Sequence, residues 1–211
     1  MHRPVGSSRT TLVTGTCAEF SGRRPLPRSL RDRSVVVLCG PTGVGRSAVA
    51  QVLLGPDLVR LDARRFESVC IARLRTMRWP DALVARGSLL LDQPKWLSKG
   101  TCRVRLAGEL ITARMAAGLK TVVTLDDADA ENLLDELPPS EVGLAALHFP
   151  RGRRARLTYA QGVAEELGLD LAKVAGTHQL DPWTYEAVRA ALRAAAGPAN
   201  TELREAERAV R

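Results

Sequence analysis

The stretch from Val35 to Gly55, VVVLCGPTGVGRSAVAQVLLG, decides the reading of the fold. Its first five residues are apolar without alternation, the pattern of a short strand covered on both faces. Gly40-Pro41-Thr42-Gly43-Val44-Gly45-Arg46-Ser47 follows and fits G-x-x-x-x-G-[K/R]-S. In such a loop the glycines let the chain curl so that amide N–H groups gather around phosphate at the start of a helix. The helix then runs to Gly55, a glycine stop. On this pattern Gly40, Thr42, Gly43, Gly45, Arg46 and Ser47 bind phosphate, and the Ser47 hydroxyl helps to hold magnesium. Arg46 stands where the loop normally carries lysine. A guanidinium is planar, wider and set further along its stem than an ammonium, so it can pair with phosphate yet serves hydrolysis poorly.

Working outward, strand-like runs over 57–63, 87–97, 121–125 and 144–149 alternate with helical patterns over 66–78, 102–117 and 130–137. Strands alternating with helices predict an α/β fold, a P-loop NTPase-type parallel sheet of about five strands with helices on both faces. After Pro150 the strand signals cease. Helical patterns over 157–167, 171–174 and 182–196 predict a small, lid-like second domain, its last helix opened by Asp181 as N-cap with Pro182 at the first helical position. The expected organisation is a flexible basic leader over 1–33, the nucleotide-binding domain over 34–150, the helical domain over 151–197 and a charged tail over 198–211.

Four further positions bear on chemistry. Asp92 ends the apolar run Leu89-Leu90-Leu91, where a strand-end carboxylate either lies beside the phosphate loop and holds magnesium through water or merely caps a turn. The following residue is Gln93, which cannot take a proton from an attacking water. Asp126, after Thr121–Leu125, sits either as a γ-phosphate sensor or as the N-cap of the next helix. Arg189, on the last helix, sits either within reach of bound nucleotide or on a solvated face.

The 31 lysines and arginines against 23 acidic residues give a net charge of +8 and point to an anionic partner. Arginines concentrate at Arg23, Arg24, Arg28, Arg31 and Arg33 and again over 151–156, either as contacts for nucleic acid or an acidic protein, or as solvated charge. Four scattered cysteines form no C-x-x-C pair, so neither a zinc site nor a disulfide framework is indicated. No run is long enough for a membrane helix, and the arginine-rich start lacks the apolar core of a signal peptide, so the expectation is a cytoplasmic protein without membrane contact.

The order of these segments resembles the AAA+ ATPases, and within them the DnaA, Hda and DnaC-like replication initiators and their helpers. The likeness runs through VVVLCGPTGVGRS, LVRLDARRF, the passage from Leu89 to Asp127 and RRARLTYAQGVAEELGLDL, covering roughly residues 34–196. It implies ATP or ADP with magnesium as ligands, Arg46 and Ser47 on phosphate and metal, Asp92 on magnesium and Asp126 as the first sensor. Arg46, Gln93, the absence of an arginine in LPPSEVG and the absence of a helix-turn-helix after Ala196 depart from the family pattern. The expected function is therefore a degenerate AAA+-like nucleotide-binding module with weak or absent ATPase activity, acting through protein or DNA contacts. Two alternatives stay open: a small P-loop kinase with 151–156 as a lid, and a structural adaptor with an empty site.

Overall fold

The computed structural model describes residues 11–21, 27–85, 87–92, 101–169, 177, 180 and 183–196. Six parallel strands form one sheet in the order β1-β6-β2-β5-β4-β3: β1 (Thr11–Gly15), β2 (Val35–Cys39), β3 (Leu58–Asp62), β4 (Ser88–Asp92), β5 (Thr121–Leu125) and β6 (Val142–Leu147). The pairing is in register throughout, with Val35 opposite Thr121 and Val142, Leu58 opposite Ser88, and Thr11 opposite Gly143. Helices α1 (Cys17–Ser21), α2 (Arg28–Arg31), α3 (Arg46–Leu54), α4 (Ala63–Thr76), α5 (Asp81–Val84), α6 (Thr101–Ala116), α7 (Asp127–Leu134), α8 (Gly152–Leu167) and α9 (Tyr185–Ala196) complete the described elements.

Strand alternation sorts the core into two layers. Val36, Leu38, Leu90, Val122 and Ala145 face one side, where α3, α8 and α9 contribute Val49, Ala50, Tyr159, Val163, Val188 and Leu192. Val35, Val37, Leu89, Leu91 and Val123 face the other, against Phe66 and Cys70 of α4, Leu110 and Ile111 of α6 and Leu133 of α7. Arg114 of α6 is 1% exposed and ties the second layer together. It donates to the Thr121 hydroxyl at 2.9 Å, to the Gly87 carbonyl at 2.7 Å, and to the carbonyls of Leu83 and Lys120. Those acceptors satisfy a guanidinium whose pKa burial lowers.

Several expectations are corrected. Part of the segment expected as a flexible leader is folded: β1 adds a sixth strand at the edge beside β6, and α1 and α2 pack against the sheet through Cys17, Phe20 and Leu30. The mixture of Thr, Gly and Arg there hid a strand whose pairing partner lies more than a hundred residues away. Helix α4 begins three residues earlier than periodicity indicates, because the Asp62 carboxylate accepts from the Arg65 amide at 2.8 Å, and it ends where Met77 turns left-handed at φ 57°. Helix α8 begins at Gly152, so the arginine-rich segment is its first turn and a half. The patterns over 171–174 and at Asp181 and Pro182 lie outside the described residues, and the last helix is described from Tyr185. α8 and α9 share the first-layer core with β2 and α3.

Candidate nucleotide-phosphate site

The loop between β2 and α3 has the backbone its glycines foretell. Gly40, Gly43 and Gly45 have φ of 141°, 83° and 97°, values that L side chains rarely adopt. A Cβ at Gly40 would overlap the Leu147 carbonyl of β6, so this position also needs the space. Among the described residues, the amides of Gly43, Gly45, Arg46 and Ser47 donate to no acceptor. They form a run of open donors at the N-terminus of a nine-residue helix. Such a run is a cradle for phosphate oxygens.

Arg46, the first residue of α3, is turned away from bulk solvent. It is 3% exposed, and its guanidinium donates to the Gly40 carbonyl at 2.7 Å, to the Leu125 carbonyl and to the Asp126 carboxylate at 2.6 Å. It is thus a strut between the ends of β2 and β5. Asp126 occupies the N-cap position of α7 but makes no side-chain cap bond, because its carboxylate is engaged with Arg46.

Asp92 ends β4 on the α3 side of the sheet, two residues after Leu90 and facing the same way. Its side chain is 4% exposed. Oδ1 accepts from the Ser47 hydroxyl at 2.9 Å and from the Thr124 hydroxyl at 2.7 Å, and Oδ2 is paired with Arg60 of β3. Ser47, Asp92 and Asp126 thus surround the loop with Arg46 between them, while Gln93 lies outside the described residues. As placed, this donor set does not fit a divalent cation: both Asp92 oxygens are committed and the chain's own guanidinium neutralises the carboxylate. The loop amides, by contrast, fit phosphate.

From the opposite side, α1 and α9 close on the loop. The Tyr185 amide donates to the Gly43 carbonyl at 2.9 Å, Thr184 lies where a Gly43 Cβ would reach at 3.0 Å, and the Cys17 thiol lies 2.5 Å from a Cβ built on Gly45. Arg189 is one turn further along α9. Its guanidinium lies 6.0 Å from the Tyr185 ring, and its Nε is buried without a hydrogen-bond partner among the described residues. Beyond α1, an open cavity of about 940 Å³ lies between the ends of β1 and β6 and helix α8, lined by Glu19, His148, Arg151, Arg154 and Glu165 among others. Its mixed charges carry no single preference for an anion.

Cys39, at the end of β2, has its thiol pushed up to about 11 by burial and by neighbouring Asp127, and burial likewise raises Cys70 to about 12. Both stay protonated at neutral pH and supply no nucleophile.

Arg60, Tyr185, Thr184 and Cys17 were not singled out by the sequence. The alternation in Leu58–Asp62 puts Arg60 on the face of Leu58, but its meeting with Asp92 depends on the pairing of β3 with β4.

Compared with solved structures, the chain matches domain III of the replication initiation protein DnaA from Thermotoga maritima with a TM-score of 0.55 at 13% identity, over 82% of this chain and 77% of that one. At this identity the likeness is one of fold, a P-loop NTPase-type α/β sheet. A replication initiator DnaA bound to AMPPCP and single-stranded DNA matches with a TM-score of 0.56 at 14% identity, over 84% of this chain and 60% of that one. AMPPCP-bound DnaA from Aquifex aeolicus matches at 0.51 and 13%, over 75% and 53%. The chain therefore spans only part of the longer DnaA chains. No family model matches the sequence, and no curated protein matches it. Among the described residues no helix is long and apolar enough to cross a membrane.

Proposed function

We propose that this protein is an AAA+-like nucleotide-binding module with little or no ATPase activity, acting as a regulator or adaptor through contacts with a protein or with DNA. The observation that carries the reading is the division of labour in the loop. Among the described residues the amides of Gly43, Gly45, Arg46 and Ser47 are open to phosphate oxygens, while the Arg46 side chain, which holds the lysine position, is committed to Gly40, Leu125 and Asp126. Phosphate is then held by backbone donors at a helix start. The cation that would follow charge onto the γ-phosphate is spent inside the protein, which removes electrostatic stabilisation worth on the order of 100-fold in rate. Asp126, paired with Arg46, is in the same way withdrawn from sensing.

The test is fluorescence titration with a nucleotide analogue beside a phosphate-release assay. ADP and ATP are expected to bind, with turnover at background. Steady turnover of several per second, abolished by Asp92→Ala, would overturn the reading. A second reading, an adaptor with an empty site, is favoured by the closeness of Cys17 and Tyr185 to Gly45 and predicts no binding at millimolar nucleotide.

A further inference from the structure

Asp92 is nearly fully buried, and a buried carboxylate needs compensating charge. In this site it has that charge without a metal. Arg60 and Asp92 lie on adjacent strands: Arg60 is opposite Leu90 and Asp62 is opposite Asp92, so Leu58, Arg60, Leu90 and Asp92 share the sheet face against which α3 packs. The Arg60 guanidinium meets Oδ2 while the hydroxyls of Ser47 and Thr124 fill Oδ1. A divalent cation entering here would have to displace Arg60 or lie against it with one carboxylate to serve both, and it would find the Ser47 hydroxyl already donating. Half of the Arg60 side chain, 52%, remains exposed, which leaves guanidinium donors for an incoming anion.

We propose that Arg60 is the resident cation of this site, standing on Asp92 in place of magnesium, so that the loop takes the phosphates of a nucleoside di- or triphosphate without a divalent metal. The inference rests on the reading that the loop binds nucleotide phosphate, and it adds that the charge beside the phosphates is a guanidinium supplied by β3.

The experiment uses the full chain, a fluorescent ADP analogue, and magnesium or EDTA in the buffer. The wild-type affinity is expected to change less than about twofold between the two, whereas Arg60→Ala and Arg60→Gln weaken binding about tenfold in EDTA and regain it with magnesium. A wild-type protein that needs magnesium for a gain of about tenfold, or an Arg60→Ala protein that binds equally well in EDTA, would overturn the proposal. Manganese binding, followed by the loss of the free-ion electron paramagnetic resonance signal, separates this idea from nucleotide binding itself. If no nucleotide binds under either condition, the nucleotide reading fails, and the manganese titration still decides the role of Arg60. Binding of the ion by Arg60→Ala but not by wild type supports it. A wild-type manganese site that Asp92→Asn removes overturns it.

Discussion

Replacing Arg46 and Asp126 singly and together distinguishes a strut from a phosphate ligand. Arg46→Ala removes a 3%-exposed side chain and leaves the carbonyls of Gly40 and Leu125 without the donor they have in the native protein. An abandoned buried acceptor costs about 1–3 kcal/mol, and the lost aliphatic stem adds its packing, so a destabilisation of about 3 kcal/mol is expected. Asp126→Ala leaves the guanidinium with carbonyls alone. Because the Asp126 side chain is 53% exposed, solvent replaces part of what the carboxylate supplied, and the cost is set lower, at about 1–2 kcal/mol. The double variant should cost less than the sum of the two, with a coupling of about 1 kcal/mol. Urea denaturation followed by far-UV circular dichroism reads all three. Were Arg46 an outward-facing phosphate ligand, Arg46→Ala would leave stability untouched without nucleotide. That result, or strict additivity in the cycle, would refute the strut.

Arg46→Lys is expected to bind nucleotide more tightly than wild type, since the shorter side chain stops short of the point where the three acceptors converge on Nη1 and its ammonium is released to the phosphates; unchanged or weaker binding by titration would count against this. In the native protein exposed Cys102 should react rapidly with a thiol reagent at neutral pH, with buried Cys39 and Cys70 protected until denaturation. The two buried thiols have raised pKa values, so their contribution to stability is fully present below the ordinary thiol value of 9.0 and is lost as pH climbs through about 11 and 12; denaturation midpoints should fall across that alkaline window. If DNA is bound through α8, neutralising exposed Arg151, Arg153 and Arg154 should lower the salt dependence of affinity by about 0.9 per lost phosphate contact, measured by anisotropy. Arg156 belongs to a different role, with its guanidinium 5.5 Å from the Trp183 ring, and its replacement should act on stability instead.

What was legible in the sequence was whatever is encoded locally. The apolar runs of β2, β4 and β5, the glycines of the loop and the helix after it are each written in consecutive residues, and the parallel sheet follows from their alternation with helices. Asp92 and Asp126 were found as site candidates because a carboxylate closing an apolar strand is a local pattern too. Partners across the sheet were not legible. Arg60 reaches Asp92 only through β3–β4 pairing, and Cys17 and Tyr185 reach the loop only once β1, α1 and α9 are in place. Arg46 illustrates both sides: its departure from lysine is visible in the sequence, but its inward turn depends on two carbonyls and a carboxylate, two of those three acceptors coming from residues about eighty positions away.

The clasp on the loop has a practical side. Cys17 comes from a segment that precedes the first long apolar strand, and Tyr185 from one that follows the last, so the two jaws on Gly45 are separated by most of the chain. A fragment trimmed to begin at Ser34, the boundary that composition alone recommends, would lose one jaw and also strip β1 from β6, baring a five-residue ladder of unpaired backbone groups. A fragment stopped before α9 would lose the other jaw and take Val188 and Leu192 out of the core they share with α8. Any weakness in nucleotide affinity found with such trimmed protein would be a property of the scissors, not of Arg46.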